Sequence, residues 1–364
     1  MAKRYLLYGW QLSLYSGKTR AYLRYKGIPY VEKPPRLWTL RTIASKTGAQ
    51  VMPVVVTPEG EWLQDTSHIM DVLEQRFPVA PVLPVTPRQR IAALLLEAWG
   101  DEFWLPSAMH YRWSFPENYA LFAEEGGRDL LPGAPRFIRD RAIGRAAKLM
   151  RGFLPGLGVV PAQLPMIEHW TKTMLDALDR HFVSHSFLLG SRPSVGDFGL
   201  IGPLYAHLGR DPYPKRKLIA PRRHLSGWIA RMLEPIRPRT GDFLPNDEVP
   251  ATLTPLLRSV LGEFWPQLAA TLPEMAKALP GLAPGRGFPR SLGEIVIPFG
   301  GQRVRLAARP YSLWMAQRAI DAYRDLPDQQ RAAARLWLTG LGGSTAMELA
   351  IPRLKRSALH VAPL

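Results

Sequence analysis

Residues 13–20, SLYSGKTR, place two hydroxyls, Ser13 and Ser16, one helical turn apart behind the short apolar run Tyr5–Tyr8. Two readings are open. Either hydroxyl can cap the helix that follows, because a serine oxygen accepts one of the orphan N–H groups of a first turn. Alternatively, a hydroxyl at the positive end of a helix can hydrogen-bond a thiolate and favour the anion. The chain has no cysteine, so such a thiol must arrive on a small molecule. Disulfides, thiolate metal sites and a protein thiol nucleophile are excluded. A thiol with a pKa near 8.5 is only a few per cent ionised at neutral pH. Lowering it by about two units, worth about 2.7 kcal/mol, would make the thiolate dominant.

Two more pairs lie downstream, Met52-Pro53 and Asp65-Thr66. Taken singly, Pro53 is an ordinary proline at the start of a strand, and Asp65-Thr66 is a common helix start. His181 and His185 are four apart with no acid or cysteine partner set, so they read as surface residues and no metal site is expected. Residues 109–113, MHYRW, are aromatic-rich; they either line a pocket or pack.

The elements that must position these pairs alternate over residues 1–85. Residues 3–9 suit a strand, and 16–27 a helix with a glycine stop at Gly27. Residues 28–32 read as extended and 37–47 as a helix or irregular loop. Residues 51–56 form a strand, 58–61 a turn, 62–63 a strand and 66–77 an amphipathic helix. The order β-α-β-α-β-β-α is a thioredoxin-like arrangement. Residues 78–84 are too proline-rich for either element and read as a linker.

From Pro87 onward the pattern is helical. Residues 88–104 repeat apolar positions through Ile91, Leu94, Leu95, Ala98 and Trp99. Further helices are expected at 165–181 and 194–209, with others inside 126–158. Ser194 and Asp197 open one of them as a capping box. Prolines 235, 238, 245 and 250 mark a second boundary. Beyond it come a helix at 254–272, a hairpin of 294–298 and 302–307 joined at Gly300-Gly301, and helices at 312–323 and 328–339. Three domains follow: 1–85, 86–240 and 241–364.

At 364 residues the chain is long enough for two or three cores, and 46% hydrophobic residues is ordinary for a globular protein. No run approaches the roughly 18 apolar residues of a membrane span. The N-terminal stretch is too short and polar for a secretory signal, so a cytoplasmic location is expected. The net charge of +17 divides as +5, +8 and +4 over the three segments. Its densest cluster is Lys215-Arg216-Lys217 with Arg222-Arg223. Such spread basicity attracts anionic ligands or surfaces. The usual nucleic-acid motifs are missing from the sequence, so no nucleic-acid partner is expected.

Taken together, Ser13-x-x-Ser16 behind strand one, Met52-Pro53 before strand three and Asp65-Thr66 opening the last helix resemble the glutathione transferase superfamily. Residues 187–198, FLLGSRPSVGDF, resemble that family's capping-box segment, and the likeness spans roughly residues 4–240. It implies a thioredoxin-like α/β domain, an all-α domain and, beyond the family pattern, a mixed C-terminal extension. It also implies a cis bond at Pro53, a geometry found at about 5–6% of X–Pro bonds. The Met52 backbone would then pair with the cysteinyl unit of glutathione like an added strand. Asp65 would meet the α-ammonium, and Thr66, through its hydroxyl and the helix-start N–H, the γ-glutamyl carboxylate. Counted back from Lys18 and Arg20, Ser13 matches the catalytic cysteine of omega-type and the serine of zeta-type members, with Ser16 the second, more structural candidate. His110, Tyr111 and Trp113 would face the electrophile.

Three departures stand out. Asp65-Thr66 replaces the commoner Glu-Ser, Leu14 replaces a frequent proline, and residues 241–364 are extra. The implied activity is attack of the glutathione thiolate on a hydrophobic electrophile by substitution, addition or β-aryl ether cleavage, as in detoxification. Homodimerisation is the family habit. The alternative is a non-catalytic binding or assembly module of the same fold, similar to the metaxins.

Overall fold

Two helices of the chain open behind a capping side chain, Ser13 and Asp65, whereas others begin with a proline in the first turn. The computed structural model describes residues 4–234, 241–283, 285–358 and 360–364. Lys3, Pro235 and Pro238, on which part of the sequence reading fell, lie outside the described residues.

In chain order the first elements are β1 (Tyr5–Tyr8), α1 (Leu14–Lys26), β2 (Tyr30–Lys33), α2 (Leu37–Thr47), β3 (Val54–Val56), β4 (Trp62–Gln64) and α3 (Thr66–Arg76). Then come α4 (Pro87–Glu102), α5 (Leu105–Ser114), α6 (Pro116–Leu130), α7 (Arg136–Arg151), α8 (Leu164–His181) and α9 (Val195–Pro203). The last third holds the hairpins β5 (Glu294–Phe299) with β6 (Gln302–Ala307), and β7 (Leu354–Ser357) with β8 (His360–Pro363). Two compact units result. One comprises residues 1–81, 107–154 and 200–240; the other comprises 82–106, 155–199 and 241–364.

The first unit contains the expected four-stranded mixed sheet, in the order β2-β1-β3-β4. β1 runs parallel to β2, with Tyr5 opposite Tyr30, and antiparallel to β3, with Leu7 opposite Val55. The third strand begins at Val54 rather than at residue 51, because Pro53 has no N–H to give the ladder. Residues 37–47 are a helix, stopped at Gly48 in the left-handed conformation. Helix α1 starts two residues earlier than expected, at Leu14, with Ser13 as its N-cap, and ends at Gly27. It is buried nearly all round, cations included. Lys26 pairs with Glu74 at 2.8 Å, and Arg20 grips Glu32 of β2, Nε to Oε2 at 2.8 Å.

Helices α6 and α7 close one side of the same unit. Trp10, Leu12, Trp113, Phe122, Leu130, Ile143 and Ala147 form one buried apolar cluster. Gly126 is required there. A Cβ on it would lie 2.6 Å from Ile143 Cδ1 and 2.9 Å from the Trp10 ring.

The second unit is built round α4. Glu97 of α4 is fully buried and pairs with Arg318 at 2.5 Å, while Glu102 accepts from the Ser312 hydroxyl at 2.7 Å. The helix Pro310–Arg324 therefore lies along α4, and the last third of the chain shares its core. Phe103, Trp104, Trp170 and Phe299 stack edge-on within it, with centroids 4.8–5.6 Å apart in the contacting pairs. The capping box forms as read: Asp197 reaches back to the Ser194 N–H at 2.8 Å and also accepts from the Leu188 N–H at 3.0 Å. The hairpin at Gly300-Gly301 forms too, both glycines at positive φ, and its first strand runs one residue further, to Phe299. The helix expected at 254–272 runs on to Ala278 and widens at Val260–Phe264, ahead of Pro266, which breaks the regular ladder. The β7–β8 hairpin was not expected. No helix among the described residues is long and apolar enough to cross a membrane.

His181, read as a surface residue, is fully buried on the inner face of α8. Its ring stacks on His185 at 4.7 Å, and its nitrogens bond the Thr252 hydroxyl at 2.7 Å and the Phe187 carbonyl at 3.2 Å. Burial pushes its pKa down from 6.5 to about 4, with His185 acting in the same direction. In the unfolded chain this imidazole takes up a proton below about pH 6.5; in the folded chain it stays neutral down to about 4. Stability is therefore lost as pH falls through that window, by roughly 3 kcal/mol in full. Urea titrations at pH 7 and at about pH 4.5 should show this loss. His181→Gln should be less stable at pH 7 but lose less on acidification, and an unchanged slope in the variant would refute the assignment.

Candidate functional site

The three residue pairs singled out in the sequence all fall in the first unit, two at helix starts and Met52-Pro53 immediately before a strand. Between β1 and α1 the chain makes a tight turn. The Ser13 N–H bonds the Trp10 carbonyl at 3.0 Å, and the Ser13 hydroxyl oxygen accepts from the Ser16 N–H at 3.3 Å. Ser13 is partly exposed; Ser16 is completely buried, and its hydroxyl accepts from the Trp10 N–H at 3.1 Å. The two serines thus divide the work: Ser13 caps the helix, and Ser16 holds the turn in front of it. Of the two serines read as possible caps, Ser16 does not serve, because its hydroxyl points back at the turn it follows.

At the second helix start, Asp65 sits at φ 85°, ψ 133°, a region costly for a residue with a Cβ. Its carboxylate accepts from the His68 N–H at 3.0 Å and so caps α3. Thr66 is the first residue of α3 and is buried. The first N–H groups of a helix have no partner within it, which makes this end suited to an anion. Met52-Pro53, immediately before β3, is a cis peptide.

One side chain ties the two helix starts together. Lys18 of α1 is fully buried, and its ammonium donates to the Ser67 hydroxyl of α3 at 3.2 Å. A buried cation between two helix N-termini adds to their positive potential. The sequence reading noted Lys18 but gave it no task. A lysine two residues beyond the second serine, in a helix without an acid in its first turn, was the available signal.

The turn carrying Ser13 is held from outside as well. Arg112 of α5 is buried and fully engaged: Nη1 donates to the Leu12 carbonyl at 2.8 Å, Nη2 to the Ala206 carbonyl at 2.7 Å and Nε to Asp211 at 2.6 Å. Burial pushes Asp211 up, against the pull of Arg112. His207 beside it is held well below its ordinary value, first by burial and then by the Arg112 charge, and meets the Ala108 carbonyl at 2.9 Å. Trp10 Nε1 donates to Asp129 of α6 at 2.9 Å. Sequence reasoning missed Arg112 although it quoted the run around it. A lone arginine within MHYRW must find a partner if the run is buried.

His110, Tyr111 and Trp113, expected to face an electrophile, are packed instead. All three are buried. His110 Nδ1 lies 2.9 Å from the Ser114 hydroxyl, Tyr111 stacks on Phe115 at 5.6 Å, and Trp113 meets Phe122 edge-on at 4.8 Å. Arg151 lies over Trp113 on its outer side, 5.4 Å from the ring centre. Five consecutive residues on one helix cannot all face a pocket, and here Trp113 packs into the cluster shared with α6 and α7 while Tyr111 lies against Phe115 and Tyr213. A groove of about 740 Å³ in the second unit, lined by Pro87, Arg88, Asp247, Thr254, Trp337 and Leu341 among others, contains none of the candidate residues. Among the described residues no group of three or more His, Asp or Glu side chains could hold a metal.

Comparison with known proteins matches residues 7–84 to the glutathione S-transferase N-terminal domain and residues 171–231 to the glutathione S-transferase C-terminal domain. Among solved structures the chain is similar to a glutathione S-transferase of Methylobacterium radiotolerans in complex with glutathione sulfonate. Identity is 21% and the TM-score 0.40, over 65% of this chain and 92% of that one. It is also similar to FzlA from C. crescentus, at 20% identity and TM-score 0.39, over 68% and 96%. A glutathione S-transferase from Rhodospirillum rubrum follows at 17% and 0.40, over 68% and 96%. No curated protein matches.

The geometry makes Arg112 testable apart from any activity. Arg112→Leu strands a buried carboxylate and frees two carbonyls, so it should cost roughly 3–5 kcal/mol in denaturant unfolding. Arg112→Leu with Asp211→Leu should cost less than the two single changes added together. Strict additivity would mean that the pair is not a unit.

Proposed function

The chain belongs to the glutathione S-transferase superfamily, and from this we propose that its first unit binds glutathione and holds the thiol ionised beside Ser13. The observation that carries this reading is how the Ser13 hydroxyl is used. Its oxygen accepts from the Ser16 N–H, so the hydroxyl proton is left to donate, and the side chain reaches solvent. A hydroxyl is donor and acceptor at once. Capping α1 and hydrogen-bonding a thiolate are therefore compatible, and the positive end of α1 favours the same anion. Ser16 has no such access.

In this reading the Met52 backbone pairs with the cysteinyl unit. The N-terminus of α3 at Thr66 receives the γ-glutamyl carboxylate, and Asp65 receives the ammonium. The donor set fits a zwitterion of this kind: a carboxylate beside a helix start. The reaction is attack of the thiolate on a hydrophobic electrophile by substitution, addition or ether cleavage, in the cytoplasm.

A second reading has its own support. The aromatic residues that would face the electrophile, His110, Tyr111 and Trp113, are buried, with Trp113 packed against Phe122 of α6, which favours a module that binds glutathione without turning over an electrophile. Retention on immobilised glutathione combined with no turnover of chlorodinitrobenzene would favour this second reading. Failure to bind glutathione even at millimolar concentration would remove both.

Ser13→Ala should raise the pKa of the bound thiol towards its free value and cut kcat sharply, with little change in the KM for glutathione, the pattern of lost thiolate stabilisation. Ser16→Ala strands the buried Trp10 N–H and should cost roughly 1–3 kcal/mol of stability instead. Thiolate absorbance against pH for both variants separates the roles. A titration moved by Ser16→Ala and not by Ser13→Ala would reverse them.

A further inference from the structure

The charge of +17 has no task in the glutathione reading, and α7 concentrates part of it. Its sixteen residues hold Arg136, Arg139, Arg141, Arg145, Lys148 and Arg151 against one acid, Asp140. Only Ile143 and Ala147 of this helix are fully buried, facing the cluster shared with α6. The opposite face carries two stripes at helical spacing. Phe137, Arg141 and Lys148 form one; Ile138, Arg145 and Leu149 form the other. Phe137 is 73% exposed, Leu149 67% and Ile138 41%, a group of exposed large apolar side chains on one helix face. Arg136 pairs with Asp140 at 3.6 Å, but Arg141, Arg145 and Lys148 make no ion pair among the described residues.

We propose that this outer face of α7 docks on an anionic phospholipid surface. Two features point to a bilayer. The unpaired cations lie in the middle of the face, where phosphate headgroups would meet them. The aromatic and aliphatic side chains lie at its two ends, where they would sink into the headgroup layer. A nucleic-acid backbone would engage the cations but offers nothing to Ile138 and Leu149. The helix lies flat in such a contact and does not span. Near an anionic surface each basic residue strengthens binding by about fivefold, so three unpaired ones, helped by the exposed apolar side chains of Phe137, Ile138 and Leu149, suffice for reversible attachment. This surface is independent of the glutathione site and stands or falls without it.

The full chain should sediment with vesicles of phosphatidylcholine containing about one third phosphatidylglycerol at about 0.1 M salt, and at least about tenfold less with phosphatidylcholine alone. Raising the salt severalfold should release it. Arg141→Gln with Arg145→Gln, and separately Phe137→Asn with Leu149→Asn, should each weaken binding by about tenfold or more. Thermal midpoints should be unchanged, since these side chains face solvent. Soluble glycerophosphate should not compete. Equal binding to neutral vesicles, binding unaffected by either double variant, or tighter binding to duplex DNA lost through the same variants would overturn the proposal.

Discussion

The Arg112–Asp211 pair is the constraint on which the first unit turns. A buried ion pair contributes little to stability by itself, because desolvation offsets most of the attraction. Its value here lies in what else the guanidinium holds. Two of its N–H groups end on the carbonyls of Leu12 and Ala206, and Leu12 precedes Ser13 in the chain. The hydroxyl that would face a thiol is therefore fixed from behind by a charge that cannot leave without stranding another.

The same logic recurs at each step outward. Lys18 spans from α1 to α3, Lys26 reaches Glu74, and Arg20 clasps Glu32 of β2. Helix α1 has buried cations where a simpler helix would have leucines, two of them reaching α3 and one β2. A helix fastened in this way has one position relative to the sheet. The N-termini of α1 and α3 are thereby fixed relative to each other.

Local features of the chain were legible. Ser194 and Asp197 satisfy each other three residues apart, and Gly300-Gly301 supplies two positive φ angles between alternating strands, so both could be read without knowing the fold. The α2 segment was ambiguous because Ile43 alone is buried in it, which leaves almost no apolar stripe to read. Distant pairings were not legible. Arg112 finds Asp211 ninety-nine residues on, and His181 finds Thr252 seventy-one residues on. The β7–β8 hairpin alternates weakly through Lys355 and Arg356, and its burial depends on helices far back in the sequence. The serines were legible as a pair, but which one caps was not: that depends on where the turn after β1 closes.

Gly126 sets how much play this arrangement has. Where its Cβ would stand, Ile143 from the inner face of α7 and the ring of Trp10, three residues before Ser13, already approach within 3 Å. With no side chain between them, the helix and the turn meet almost backbone to ring, and there is no compressible layer to absorb a shift. Any residue with a Cβ at position 126 therefore forces Ile143 or the Trp10 ring to shift, and with the ring the turn that leads to Ser13.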